Sequence, residues 1–203
     1  MRRKPLFKIW LALAALVIGL IGTGEVTQGD LTRLFRAVTR ALQSEAPRQA
    51  AREARPDETL SGRPRIIDGD TIDLDGVRVR MQGIDALEHD QSCRRGAGRI
   101  ECGAAAREAL AELVGNRVVT CEPDGSLTHG RTVAICFVPG SGGSRVDLNE
   151  AMVRSGYAFD CPRFSDRRYA AAEAAARRDK AGAWAGRFDF PWSHRDRAGA
   201  CGR

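Results

Sequence analysis

Five charged residues between positions 70 and 131 have the types that chemistry at a phosphate group needs. Asp70, Asp85 and Glu88 carry carboxylates, and Arg80 and Arg131 carry guanidinium groups. A hard cation such as calcium binds several carboxylate and carbonyl oxygens. Phosphodiester cleavage further needs a group that activates water and groups that neutralise charge on phosphorus, which a glutamate and two arginines can supply. Taken singly each residue is weak evidence, because an Asp-Gly-Asp-Thr sequence is more often a turn than a metal site.

The segment that follows the first of these aspartates is predicted to be a β-hairpin. Residues 71–74 and 77–81 alternate between apolar and polar side chains, and Asp75-Gly76 is a typical two-residue turn. With that turn the opposed pairs sort into one apolar face and one polar face, and Thr71 lies opposite Arg80.

The same register separates two of the candidate site residues. Alternation places Asp70 on the apolar side of a flat sheet and Arg80 on the polar side. A bend near Gly69 or Gly83 is therefore required before both side chains can contribute to one site.

The rest of the domain is predicted to be α+β. A helix around 106–114 ends at a glycine, strands follow at 118–122 and 132–138, Asp147 can cap a second helix, and a third ends near Gly182. This order favours a small antiparallel barrel with helices packed on it. An open α+β sheet remains the alternative.

The first 24 residues have the composition of a membrane-targeting segment. Basic residues precede the uncharged run Ile9–Ile21, which is short beside the roughly 17 to 25 residues of a full span. The basic flank predicts that everything after Gly24 is exported. We expect an anchor in the inner membrane with the domain in the periplasm or outside, and secretion after cleavage of the segment is the alternative.

Residues 25–61 are expected to be a tether between this segment and the domain. Apolar residues at helical spacing predict a short amphipathic helix at 30–43, and the following residues are polar and proline-containing. The helix either binds a membrane surface or a partner, or lies on the domain. We place the domain at 62–192 and a C-terminal tail at 193–203, and expect a monomer.

The net charge of +6 does not indicate bulk capture of nucleic acid. Residues 1–61 hold 10 basic and 6 acidic residues, which leaves 22 basic and 20 acidic residues in 62–203. The domain is therefore nearly neutral, and any binding of phosphate must come from a few placed arginines.

Six motifs together resemble the staphylococcal-nuclease-like, or thermonuclease, family. They are IDGDT (67–71), VRMQGIDALE (79–88), CGAAA (102–106), HGRTVA (129–134), DLNEAMVRSGYA (147–158) and AGAW (181–184), in the order the family has them. The resemblance covers about 62 to 192. It implies a five-stranded OB-fold barrel with three packed helices, bound Ca²⁺, and hydrolysis of DNA and RNA that leaves 3′-phosphates.

The resemblance also assigns roles to individual residues. Asp70 and Asp85 match the calcium carboxylates, Ala86 matches a backbone carbonyl ligand, Glu88 matches the general base, and Arg80 and Arg131 match the phosphate-binding pair. The alternative is a noncatalytic OB-fold module that binds nucleic acid or protein, since this barrel often serves for binding alone.

Three positions depart from the family pattern. Leu87 replaces a proline before the glutamate, which is expected to loosen the loop that directs Glu88. His129 stands where a tyrosine is common, and Leu127 where an acidic residue often lies. Base stacking is then expected to differ, with His129 and Phe164 as substitutes, and a plain loop residue is the alternative for His129.

The six cysteines are consistent with export. Cys121 and Cys136 lie on strands joined by one loop, Cys93 and Cys102 flank a glycine-containing segment, and Cys161 and Cys201 remain. Six cysteines allow 15 pairings, so these three disulfides are a hypothesis. Reduced, buried thiols are the alternative.

Overall fold

The structure is a computed structural model that describes residues 58–202. The expected targeting segment (1–24), the expected helix at 30–43 and nearly all of the expected tether lie outside the described residues. Within the described residues, no helix has the length and apolar character needed to cross a membrane.

The described chain forms eleven strands and five α-helices. The strands are β1 (Leu60–Gly62), β2 (Arg65–Ile66), β3 (Thr71–Leu74), β4 (Val77–Met81), β5 (Ile84–Ala86), β6 (Cys93–Arg95), β7 (Gly98–Ile100), β8 (Val119–Thr128), β9 (Arg131–Pro139), β10 (Arg145–Asp147) and β11 (Ala158–Asp160). The helices are α1 (Cys102–Val114), α2 (Leu148–Arg154), α3 (Pro162–Ser165), α4 (Ala170–Arg178) and α5 (Pro191–His194), with 3-10 turns at Ser141–Gly143 and Gly182–Ala185.

The main sheet has the strand order β1-β8-β9-β4-β3-β2, and β10 pairs with β9. Strand β4 runs parallel to β9, and the other pairs are antiparallel. The predicted closed five-stranded barrel is not found in the described residues, because no pairing joins β1 to β2 at the two ends of this path. Five α-helices stand where three were expected. The fold is a mixed α+β fold consistent with an OB-like arrangement.

The predicted hairpin has the predicted register. Thr71 pairs with Arg80, and the three following pairs match as well. Asp70 lies before β3, in a bend that spans residues 68–70. The alternation of side chains therefore does not extend to Asp70, and its carboxylate reaches Arg80, which removes the conflict seen in the sequence.

Gly69 makes this bend sterically feasible. A Cβ at Gly69 would lie 2.8 Å from the Cβ of Ala86 and 2.9 Å from that of Ala106. The chain before β3 can thus press against both β5 and α1. A turn with Gly83 at φ +75° then connects β4 to β5, which brings the end of the hairpin back towards the same bend.

Two hydrophobic clusters support the domain. The larger lies between the main sheet and helices α1 and α2, and includes Ile72, Leu110 and Met152. The smaller lies beneath β5 and the C-terminal segment, where Phe159 is surrounded by four aromatic rings: Trp184, Phe188, Phe190 and Trp192. The first strand begins at Leu60, before the boundary placed at residue 62, and the expected C-terminal tail packs on the domain through α5 and Cys201.

All six cysteines are paired, in the combination that the sequence suggested. The disulfides are Cys93–Cys102, Cys121–Cys136 and Cys161–Cys201. The second joins directly opposed residues of β8 and β9. The third ties the C-terminal segment to the beginning of α3.

Candidate active site

All eight residues predicted for catalysis, metal binding or substrate binding line one cavity of about 1030 Å³. They are Asp70, Arg80, Asp85, Ala86, Glu88, His129, Arg131 and Phe164. They come from the bend before β3, from β4, from β5 and the loop after it, from the turn between β8 and β9, from the first residue of β9, and from α3. The fold therefore assembles distant stretches of chain around one space.

Arg80 lies between the two aspartates. Its Nη1 donates to Asp70 Oδ1 at 2.6 Å and its Nη2 donates to Asp85 Oδ1 at 2.6 Å. Burial alone would lower the pKa of Arg80, yet the two carboxylates raise it above its ordinary value. Arg80 therefore stays charged, and the two aspartates share one guanidinium.

The Asp70 carboxylate is buried, with 2% of the residue exposed. Its Oδ2 accepts from the backbone N–H of Ala86 at 2.8 Å, and its Oδ1 also accepts from the Thr71 hydroxyl at 3.1 Å. Burial raises the pKa of Asp70 to about 6, although Arg80 acts in the opposite direction. Burial disfavours the charged form of this carboxylate, and a bound divalent cation would stabilise that form.

Asp85 is positioned by β5, whose three residues are all buried and pair with β11. Its neighbour Ala86 lies opposite Ala158 in that ladder. Burial also raises the pKa of Asp85, opposed by Arg80. Asp85 is thus fixed by its strand, Asp70 by its hydrogen bonds within the bend before β3, and both by the shared guanidinium of Arg80.

The loop that carries Glu88 is held by contacts that compensate for the missing proline. Leu87 is buried in the smaller cluster, and its N–H donates to the Tyr157 carbonyl at 3.1 Å. The N–H of Glu88 donates to the side-chain oxygen of Gln91 at 3.1 Å. A Cβ at Gly103 would lie 1.7 Å from the Glu88 carbonyl oxygen, so the start of α1 packs directly on this loop. These contacts hold the loop that carries Glu88 without a proline at position 87.

Arg131 is the first residue of β9 and enters the cavity directly after the tight turn between β8 and β9. His129 and Gly130 both have positive φ, as a two-residue type I′ turn requires. The guanidinium of Arg131 makes two long contacts, to the Thr128 carbonyl and the Thr71 hydroxyl, each at 3.3 Å. Burial, and then the charge of Arg80, lower its pKa. Among the described residues Arg131 forms no salt bridge, so its charge is available to an anion.

The two predicted stacking residues lie at the rim of the cavity. Phe164 is 57% exposed, and the side-chain nitrogen of Gln82 donates to its carbonyl. His129 is exposed, with Nδ1 within 3.2 Å of the Thr128 hydroxyl. An exposed aromatic ring beside a cavity is available for a base or another flat group.

Two residues that the sequence analysis missed complete the site. Gln91 is 1% exposed, and its side-chain nitrogen donates to the Asp189 carbonyl at 2.6 Å, which links the Glu88 loop to the C-terminal segment. Arg195 donates to Asp85 Oδ2 at 2.5 Å and to Glu88 Oε1. The pairing of Cys161 with Cys201 was the sequence signal that could have placed the tail near the site.

The predicted metal ligands are all oxygen atoms, as a hard cation requires. Only two of these ligands, Asp70 and Asp85, are carboxylates. Among residues 58–202, no group of three or more His, Cys, Asp or Glu residues forms a metal cluster. Asp70 and Asp85 are buried oxygen donors close enough to share one guanidinium, and burial disfavours their charge. A divalent cation relieves that strain, and water and backbone carbonyls can complete its shell, so these residues fit the ion that the family implies.

Comparison with known proteins identifies the kind of protein that this fold and cavity define. The family described as Staphylococcal nuclease homologue matches residues 78–186, more than half of the chain. The chain belongs to this family. The match extends from β4 to the 3-10 turn after α4, and so includes Arg80, Asp85, Glu88 and Arg131.

Three proteins with different names are similar in sequence to this chain. The chain is 36% identical over 130 residues to the succinoglycan biosynthesis protein ExoI of Rhizobium meliloti (strain 1021), which is 63% of this chain and 65% of that protein. It is 30% identical over 143 residues to the micrococcal nuclease of Shigella flexneri, 64% of this chain and 77% of that protein. It is 38% identical over 103 residues to protein ParB of Escherichia coli, 47% of this chain and 53% of that protein.

The chain thus spans slightly less than two thirds of the first relative and about half of the third. The family is described as Staphylococcal nuclease homologue, and one of the three relatives is named a nuclease.

Proposed function

We propose that this protein is a calcium-dependent nuclease that hydrolyses phosphodiester bonds of DNA and RNA and leaves 3′-phosphates. One observation carries the proposal: two buried carboxylates, a glutamate and two arginines from separate stretches of chain line the same cavity. The two aspartates are buried and the pKa of each is raised, and ionisable groups perturbed in this way beside a cavity are typical of functional sites.

The roles follow from the positions of the side chains. Asp70 and Asp85 would hold Ca²⁺, together with the carbonyl of Ala86, and the bound ion would supply polarisation of the phosphate. Glu88 takes a proton from the attacking water, with Oε2 as the acceptor, because Arg195 donates to Oε1 and no described residue donates a hydrogen bond to Oε2. Arg131 donates to the phosphate oxygens.

Arg80 can serve the carboxylates and a phosphate at the same time. A guanidinium has five N–H donors, and Arg80 directs its Nη1 and Nη2 to Asp70, Asp85 and, at 3.5 Å, the carbonyl of Ile84. Its Nε–H and one further Nη1–H remain. The same arginine therefore both orders the metal carboxylates and stabilises charge that develops on phosphorus.

A calcium-titrated cleavage assay on plasmid DNA and on RNA tests this proposal. Glu88→Gln is expected to lower the rate about 10²- to 10⁴-fold, the usual contribution of a general base, and chelation of calcium is expected to abolish cleavage. Glu108→Gln, which removes an exposed carboxylate of α1 outside the cavity, is the matched control and is expected to retain activity. Full activity in Glu88→Gln would refute the assignment.

The second candidate is a noncatalytic module that binds nucleic acid or protein. The contact that favours it is the bridging of Asp70 and Asp85 by Arg80, because each aspartate already has a cationic partner. An oligonucleotide that binds in the assay above without being cleaved at any calcium concentration would establish this function instead.

We also propose that the domain works outside the cytoplasm, either anchored in the inner membrane or released. Three disulfides support this, since such bonds persist in oxidising compartments. Fractionation of cells that express the full chain tests it. Recovery of the protein in the cytoplasm, with six reduced thiols by mass spectrometry, would refute it.

A further inference from the structure

The C-terminal segment brings a third arginine into the cavity, from outside the part of the chain that the family matches. Arg195 follows α5, beyond residue 186 where the match ends. Its Nη2 donates to Asp85 Oδ2 at 2.5 Å and its Nη1 donates to Glu88 Oε1. One guanidinium therefore joins a predicted metal ligand to the predicted general base.

Arg195 is held from both sides along the chain. Trp192 is buried in the aromatic cluster before it, and Cys201 is bonded to Cys161 after it. The backbone adds a hydrogen bond from Arg163 N–H to the Cys201 carbonyl at 3.2 Å. The short segment between these anchors has limited freedom, which reduces the entropy lost when the arginine is ordered in the cavity.

The contacts of Arg195 determine where the Glu88 carboxylate can lie. Its Nε is buried and has no hydrogen-bond partner among the described residues, so the two Nη atoms make its polar side-chain contacts. They engage one oxygen of each carboxylate and leave Oε2 of Glu88 without a donor from the described protein. That arrangement fixes the carboxylate while one oxygen stays available to water.

We propose that Arg195 is a positioning residue, which the disulfide-bonded tail delivers to hold Glu88 at a fixed place relative to Asp85. The proposal rests on the proposed nuclease function. Arginine suits the task because its planar fork reaches two carboxylates at once, whereas lysine is a single point charge. Loss of the fork is expected to misplace the base, and a displacement of about 1 Å can cost about 10²-fold in rate.

Steady-state cleavage of an oligonucleotide at saturating calcium tests the role of the side chain. Arg195→Gln is expected to lower kcat about 10- to 100-fold and to leave KM within about 2-fold, because Arg195 orients the base rather than the substrate. Arg195→Lys is expected to recover part of the loss. Arg99→Gln, which removes an exposed arginine paired with Glu101 outside the cavity, is the control and is expected to have the wild-type kcat.

The role of the C-terminal segment is tested by removing the disulfide that holds it, Cys161–Cys201. Cys161→Ser with Cys201→Ser is expected to lower kcat by a similar factor, and the triple variant with Arg195→Gln is expected to lose little more, because both changes remove the same interaction. Cys121→Ser with Cys136→Ser serves as the control for loss of a disulfide, and circular dichroism verifies that each variant is folded. A triple variant whose loss is the product of the two separate losses would overturn the role of the disulfide-bonded C-terminal segment in placing Arg195.

A readout that does not depend on turnover separates this proposal from the nuclease function. A crystal structure of Arg195→Gln is expected to show the Glu88 side chain turned away from Asp85. If the wild-type protein cleaves no substrate, the nuclease proposal fails, and the crystal structure still decides the role of Arg195. An active wild type beside an Arg195→Gln variant with equal or higher kcat would overturn the positioning role alone.

Discussion

The buried carboxylate of Asp70 makes the stability of the protein depend on pH in an unusual direction. Burial raises its pKa from 3.8 to about 6, against the opposing effect of Arg80. Between these two values the folded protein holds a proton that the unfolded chain has released. The free energy of unfolding of the wild type should therefore fall as pH rises through this window. Asp70→Asn, which is uncharged at every pH, removes that contribution.

The size of the effect follows from the shift. A difference of about 2 pKa units corresponds to about 3 kcal/mol, at about 1.4 kcal/mol for each unit. The free energy of unfolding of Asp70→Asn minus that of the wild type should therefore increase by about 3 kcal/mol between about pH 3.5 and about pH 7. The same strain, relieved on cation binding, is what would make the site accept calcium.

Denaturant unfolding followed by tryptophan fluorescence at several pH values measures this difference. Chelator is present throughout so that no divalent cation contributes, and the disulfides are kept intact. Asp75→Asn, at the exposed turn of the same hairpin, controls for the loss of a surface carboxylate. A difference for Asp70→Asn that stays constant, or that decreases as pH rises, would refute the reasoning.

Three further changes test the framework around the site. Gly103→Ala places a Cβ 1.7 Å from the Glu88 carbonyl oxygen and should cost at least about 1 to 3 kcal/mol; a thermal melt equal to that of Gly98→Ala would contradict this. Asn149→Ala leaves a buried N–H of β9 and the carbonyl after β4 unpaired, which should cost about 2 to 4 kcal/mol in urea unfolding; a loss below about 1 kcal/mol would argue against it. Replacement of both Cys121 and Cys136 by Ala should cost about 3 kcal/mol, and an unchanged unfolding midpoint would count against that bond.

The features that the sequence determined by itself are local in the chain. Alternation around the Asp75-Gly76 turn set the register of β3 and β4, and the glycine at 115 marked the end of α1. Asp147 caps α2 through the N–H of Glu150, as its position before an apolar helical pattern predicted. These features depend on backbone geometry and on neighbours a few residues away, which a sequence displays directly.

The tertiary structure decided how the site residues approach one another. The pairing of Asp70 with Arg80 arises because the strand has not yet begun at Asp70, and alternation says nothing about a bend whose shape depends on packing against Ala86 and Ala106. The parallel pairing of β4 with β9 brings Arg131 to the same cavity. A sequence pattern does not report such contacts, because they depend on the path of the chain between the elements.

The contribution of the C-terminal segment is the clearest case. Residues 193–203 carry no periodic pattern and were expected to be a tail, yet Arg195 lies within the site and Gln91 is bonded to the backbone just before α5. The amino-acid sequence determines which charges the protein has and which local elements carry them. Only the folded chain decided which charges are buried together, because desolvation and ion pairing act through space between groups that lie far apart in sequence.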